Sequence, residues 1–159
     1  MTLEVKRTGS MFDSGADVLV NPVNCKGVSG AGLAKEFAAR YPTATHHYKV
    51  ASADFVPGRC YRIIDMTYNK GLQTIYYFTT KDDWRNPSQL IWIWSGLLDM
   101  ARLISAGGQV QSIAVPALGC GRGGLDWDEV WLYLCPLTQI FDHIKWIIYP
   151  PQNQTKSDR

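Results

Sequence analysis

The 159-residue sequence is short of most features that would place it in a specialised class. It has no surplus of one charge: 16 Lys and Arg against 14 Asp and Glu leave a formal net charge of +2. That is too little to imply nucleic-acid binding by bulk electrostatics. It has no Cys-x-x-Cys pair; Cys25, Cys60, Cys120 and Cys135 are scattered, which argues for free thiols rather than a disulfide framework. His46 and His47 are adjacent, so on a helix their side chains diverge and no metal-ligand set emerges. No apolar run reaches the length of a membrane span, and residues 1–7 lack the apolar core of a secretion signal. No repeat is visible beyond one loop unit that occurs twice. These absences lead to the expectation of a soluble, cytoplasmic, monomeric protein without metal or cofactor.

What is present is an ordinary globular composition, 46% hydrophobic and 19% charged, in a chain long enough for one core. The spacing predicts one domain over residues 1–150 and a polar, disordered tail over 151–159. Six Trp and eight Tyr are many for this length, and suit either a core or surfaces on which bases stack.

Two stretches share one design. Ala16–Asn21 is a short apolar strand; the glycine loop Asn24–Gly32 follows and feeds a helix in which Leu33, Phe37 and Tyr41 recur at i, i+4 and i+8 until Pro42. Ser112–Val115 is a second β-branched run. It enters Pro116–Gly124, rich in glycine, and then Asp126, a helix-start signal before Trp127. Strand, glycine loop and helix N-terminus together form a cradle for phosphate oxygens, because N–H groups approach closely and the helix end adds partial positive charge. Gly27-x-x-Gly30-x-Gly32 has the wrong order for a dinucleotide fingerprint, so a standard Rossmann domain is rejected.

Between the units, Thr43 reads as the cap of a short helix to about Ala53, ahead of two strands, Arg59–Asp65 and Thr74–Thr79, joined as a hairpin by the turn signal Asn69-Lys70-Gly71. Pro87-Ser88 opens a long helix to about Ser105. Asp126 caps a helix from Trp127 to about Ile140, in which Pro136 predicts a kink or an early end. Leu3–Arg7 and Ile144–Tyr149 complete the strands. Six strands and four helices, mostly alternating, give an α/β fold: a three-layer α/β/α sandwich with a central mixed six-stranded sheet.

At this point the residues resemble a family. Asp17–Asn24 is similar to the first signature of the macro domain, Asp-Ala-x-Val-Asn-x-x-Asn, and Pro116–Gly121 to its second. The likeness covers roughly residues 2–149. It implies ADP-ribose as ligand. Ser10, Met11 and Tyr149 would lie toward the adenine, and Asn21, Asn24, Gly30, Ala31, Gly32 and Leu33 in the first loop unit. Thr80 would lie beside Lys81, and Pro116, Leu118, Gly119, Cys120, Gly121, Arg122 and Gly123 around the diphosphate. The first loop, Phe78–Arg85 and Gly119–Trp127 resemble the DarG-like antitoxin subgroup, which strips ADP-ribose from thymidine in DNA. They are also similar to the terminal ADP-ribose protein glycohydrolase, which acts on ADP-ribosyl-glutamate. In that group the lysine matching Lys81 is catalytic. Two departures stand out: Ser10 replaces an Asp that contacts adenine, and Gly123 occupies the position of a catalytic Asp. Asp126 is near in sequence but also reads as a helix cap.

The residues leave chemical alternatives. Lys81 serves as a nucleophile toward the anomeric carbon, which needs burial or a neighbouring cation, or as electrostatic help to the leaving group. Without the resemblance it reads as a solvated lysine. Cys120 is a poor nucleophile candidate, with no histidine near it in sequence, and fits better as a small packing residue. Arg122 adds charge or faces solvent. Trp84 and Arg85 contact substrate as stacking aromatic and phosphate ligand, or Trp84 packs on its own core. Three functions follow: an ADP-ribosyl hydrolase acting on a macromolecule such as single-stranded DNA, with a cognate ADP-ribosyltransferase toxin as partner; an ADP-ribose 1″-phosphate phosphatase; or a non-catalytic ADP-ribose-binding module.

Overall fold

A computed structural model describes residues 2–67 and 71–152. Its strands are β1 (Thr2–Val5), β2 (Val18–Asn24), β3 (Cys60–Asp65), β4 (Gln73–Lys81), β5 (Ser112–Val115) and β6 (Lys145–Ile148). The helices are α1 (Gly32–Arg40), α2 (Pro42–Ala51), α3 (Leu90–Ala106) and α4 (Trp127–Ile140). The strands form one sheet in the order β1-β6-β5-β2-β4-β3. Only the edge strand β3 runs antiparallel to its neighbour; the remaining pairs are parallel.

Alternation along each strand feeds two cores. Val18 and Val20 of β2, Tyr76 and Phe78 of β4, and Ile113 and Val115 of β5 face Ile93, Leu97 and Met100 of α3 and Val130 and Leu134 of α4. Leu19, Val23, Ile75, Tyr77 and Ala114 face the other way, onto Phe37 of α1 and Ala44 and Tyr48 of α2. Both faces of the sheet are therefore covered, which is why the central strands read as near-continuous apolar runs. The three-layer sandwich is as the sequence predicts.

One detail opens the molecule. β2 pairs with β5 only at Val18 and Leu19, whereas its pairing with β4 continues to Asn24 opposite Lys81. Beyond Leu19 the sheet parts at the carboxyl ends of β2 and β5, the place where open α/β sheets bind ligands. Pro22 lies in this half-paired stretch, where a missing N–H is tolerated as on an edge strand. The observed β2 thus runs past Asn21, where the apolar pattern alone ends the strand.

One helix boundary differs from expectation, and one helix passes a proline without ending. Pro42 does not merely follow α1; it is the first residue of α2, where its lost N–H is harmless. Thr43 is not the cap. Its Oγ1 donates to Asp65 Oδ2 at 2.6 Å, and Asp65 also accepts from the Ala44 amide at 2.9 Å, capping α2 from the end of β3. α4 begins as expected, with Asp126 accepting from the Asp128 amide at 3.1 Å, but runs through Pro136 to Ile140. Pro136 and Leu132, one turn before it, are both exposed, so water can serve the carbonyl that proline leaves free. The turn residues Asn69 and Lys70, and tail residues 153–159, lie outside the described residues. No helix among the described residues is long and apolar enough to cross a membrane.

Candidate active site

The parted sheet leads into a cleft of about 1020 Å³. One wall is the first glycine loop and the start of α1, with Asn24, Gly30, Ala31, Gly32 and Leu33. Gly32 sits at φ +58°, a left-handed conformation that costs an L side chain strain, and no side chain caps the helix. Among the described residues the amides of Gly32, Leu33 and Ala34 have no recorded protein acceptor, and this helix end on the cleft wall carries the positive end of the helix dipole. Asn24, on the cleft wall, also holds its own loop together. Its Oδ1 accepts from the amides of Lys26 (2.9 Å) and Val28 (3.3 Å) and from the Tyr48 hydroxyl (3.0 Å), while Nδ2 donates to the Val28 carbonyl (2.9 Å). Asn24 thus folds the loop, and one Nδ2–H is what remains for a ligand.

The opposite wall is the second glycine loop, where Pro116, Gly119, Cys120, Gly121, Arg122 and Gly123 line the cleft. Turn bonds from Cys120 N to Ala117 O, Gly124 N to Gly121 O and Leu125 N to Gly119 O set its shape. The amides of Gly121, Arg122 and Gly123 find no protein acceptor among the described residues. Two sets of free amides facing across a cleft suit an anion with two phosphates. Cys120 is buried, and its Sγ donates to the Leu118 carbonyl at 3.4 Å. Burial first, and then Asp126, push its thiol up to about 12, so no thiolate forms near neutral pH.

Lys81 ends β4 between the two loops, with Thr80 beside it on the cleft wall. Desolvation lowers its pKa from the ordinary lysine value, and the positive charge of Arg122 lowers it further. Burial and a neighbouring cation thus act in the same direction, both disfavouring the charged amine. From Lys81 the chain runs as a strap to Ser88. At one end the Cys25 amide donates to the Asp82 carbonyl (3.0 Å) and Cys25 Sγ to the Lys81 carbonyl (3.4 Å). At the other end the Ser88 amide donates to the Gly123 carbonyl (3.0 Å). The strap joins both glycine loops and carries Trp84 at the cleft mouth.

Ser10 and Met11 also line the cleft, where Met11, Phe12, Leu33 and Tyr149 belong to one apolar and aromatic cluster. Ser10 Oγ accepts from the Phe12 amide at 3.2 Å, capping a 3-10 turn over Met11–Asp13. Three expected residues do not reach the cleft. Asn21 is buried on the α2 side of the sheet, in register with Tyr77. Leu118 is fully buried in the α3–α4 core. Arg85 is turned back onto Asp83, with Nε–Oδ1 at 2.9 Å and a second guanidinium nitrogen to Oδ2 at 2.6 Å. The structure adds Phe12, Pro22, Glu36 and Ser88, and also Pro150, Pro151 and Gln152, which wall the cleft where the sequence suggests a tail. Pro22 and the two terminal prolines carried no local signal for a wall; Ser88 carried only that of a helix start.

Paired glycine loops at the split of a covered α/β sheet, lined also by aromatic residues and by Lys81, define the architecture of the class. The macro domain family model matches residues 20–133, and the chain belongs to that family. It is 36% identical over 152 residues to the DNA ADP-ribosyl glycohydrolase of Mycobacterium tuberculosis, an alignment covering 94% of this chain and 43% of that protein. The chain thus spans less than half the length of the curated relatives it matches. The macrodomain of Mycobacterium tuberculosis DarG superposes with a TM-score of 0.88 at 35% identity, covering 95% of this chain and 99% of the other. A Thermosipho africanus DarTG structure in complex with ADP-ribose gives 0.86 at 30% identity, over 99% of this chain and 43% of that one.

Proposed function

We propose that the cleft binds ADP-ribose and that the protein hydrolyses it from ADP-ribosylated DNA, with Lys81 as the catalytic residue. The observation that carries this is the Lys81 amine, made less basic by desolvation and by Arg122, placed between two phosphate cradles. Support comes from relatives named DNA ADP-ribosyl glycohydrolase and from one named a fusion of that activity with a DNA ADP-ribosyl transferase. A transferase of this kind is the partner that supplies the substrate.

With the diphosphate held by the free amides of both loops, the distal ribose falls at the Lys81 end. The neutral amine attacks the anomeric carbon with its lone pair, and the bond from that carbon to the base nitrogen breaks. The amine gives up a proton and the departing base takes one. Ring opening converts the adduct to a Schiff base; water adds to it and releases ADP-ribose and the free amine. A thymine nitrogen flanked by two carbonyls spreads the departing charge, so the reaction makes a small demand on an acid. That fits a site with Gly123 where a carboxylate would otherwise stand.

The test is turnover of ADP-ribosylated single-stranded DNA by the wild type and by Lys81→Ala, with borohydride added in a parallel reaction. A covalent ADP-ribosyl adduct on Lys81 and loss of turnover in Lys81→Ala are expected. Equal turnover by both proteins would sink the proposal.

A further inference from the structure

Trp84 is out of place as a structural residue. Its indole is 53% exposed, and it borders the same cleft as Lys81, three positions before it in the strap. A large ring left this wet is not packing a core. Yet the chain holds it firmly. Asp83, on its one side, accepts from the Arg85 amide at 2.9 Å and grips the Arg85 guanidinium with both carboxylate oxygens. The Asn86 amide donates to the Asp83 carbonyl at 3.1 Å, closing the turn. The guanidinium carbon of Arg85 stands 5.7 Å from the indole centroid, so one face of the ring is backed by a cation. Arg85 is thereby committed to Asp83 and to the ring, rather than to a ligand phosphate. Trp84, more than half exposed, and Lys81 thus line one cleft from the same short strap.

Resting on the reading that Lys81 cleaves ADP-ribose from DNA, we infer that Trp84 is the platform on which the departing nucleobase stacks, and that it makes the site prefer base-linked over carboxyl-linked ADP-ribose. A flat heteroaromatic base offers the indole a π-face; a glutamyl side chain offers none. Stacking of one base on an aromatic residue accounts for roughly a 5- to 150-fold difference in affinity. Trp84 therefore selects the leaving group, while the glycine loops select the ADP-ribose.

The test uses two probes, a single-stranded oligonucleotide carrying ADP-ribose on one thymine and a peptide carrying it on glutamate. Binding is measured in the Lys81→Ala background with Trp84, Trp84→Phe and Trp84→Ala. Trp94→Ala, an exposed tryptophan on α3 outside the cleft, serves as reference. Trp84→Ala is expected to weaken oligonucleotide binding by roughly 5- to 150-fold and peptide binding by much less, with Trp84→Phe between. If both probes lose equally, Trp84 touches ADP-ribose itself and the inference falls. If neither loses, it falls outright. Because the readout is binding without turnover, failure of the Lys81 chemistry shows up separately, as turnover unchanged by Lys81→Ala.

Discussion

Replacing Gly123 by alanine tests how the second loop is built. A Cβ at this position would lie 2.4 Å from Ser88 Oγ and 2.5 Å from the Gly119 carbonyl oxygen, close to 1 Å inside ordinary contact. Ser88 Oγ is a side-chain atom without a hydrogen-bond partner and can turn away, but the Gly119 carbonyl is backbone and must shift as a unit. Gly119 is itself backed by Leu125 and Ile93, whose side chains would stand 2.7 and 3.3 Å from a Cβ placed there, and its oxygen holds the Leu125 amide. Ser88 is tied by its amide to the Gly123 carbonyl. Overpacking of this kind costs about 1–3 kcal/mol. For a chain of this length that is a fall in Tm of roughly 2–12 °C. The same displacement mis-aims loop amides that face the ligand, and one lost bond to a charged group is worth about 1.5–3 kcal/mol, or roughly 10- to 150-fold in Kd. Thermal melting and ADP-ribose calorimetry read the two effects. Gly121→Ala is the comparison, because a Cβ there meets nothing within 4 Å and the backbone is not left-handed. Gly124→Ala lies between, with φ at +78° but open space, for a strain of about 1 kcal/mol. If Gly123→Ala melts and binds like Gly121→Ala, the packing account is wrong. The same crowding implies that Gly123→Asp disrupts the loop instead of installing an acid.

Other perturbations are as direct. Arg122→Gln removes a cation that lowers the Lys81 pKa, so the acid limb of the pH profile of kcat/KM, where the amine must lose its proton, should move to higher pH; a limb that stays put would show that Arg122 does not tune the amine. Asp65 has a lowered pKa: burial alone would raise it, but bonds from Thr43, Thr67 and Ala44 outweigh burial. Its folded value is below its unfolded one, so its contribution to stability is full above the unfolded pKa and is lost as pH falls through the folded value. Asp65→Asn should therefore flatten the acid limb of a stability profile measured by urea unfolding. Alkylation with iodoacetamide at pH 8, followed by mass spectrometry, should label the half-buried Cys135 first and leave Cys120 unmodified. Gly96→Ala drives a Cβ to within 2.3 Å of the Phe78 ring and should destabilise by about 1–3 kcal/mol, read as a lower urea midpoint.

What the sequence reveals is local. Glycine density after an apolar strand, and the Leu33, Phe37, Tyr41 period, are written in consecutive residues, and both loop units are legible from them. The Asp126 cap and the β3–β4 hairpin are local in the same sense. What it hides is decided across space. Asn21 and Asn24 stand in one signature, yet strand alternation sends Asn21 under α2 and Asn24 into its own loop. Leu118 sits among glycines but points into the opposite core. Arg85 reads as a free guanidinium until Asp83 is seen to hold it. The wall formed by Pro150–Gln152 exists because β6 ends beside β5, which no local pattern announces. Lys81 stands out only through the family likeness; its environment depends on Arg122, far along the chain.

The strap from Lys81 to Ser88 is fastened almost wholly through main-chain atoms: the carbonyls of Lys81, Asp82 and Gly123, and the amides of Cys25 and Ser88. Peptide groups are the same whatever side chain they carry. Mutations at 81, 82 and 84 can therefore accumulate without dismantling the ligand cradle on either flank. Such a segment behaves as an exchangeable cassette, in which an ancestral ADP-ribose binder could gain, lose or redirect its reactivity over a few substitutions. A laboratory graft of only these positions onto a non-reactive relative is the shortest route by which that history could be replayed.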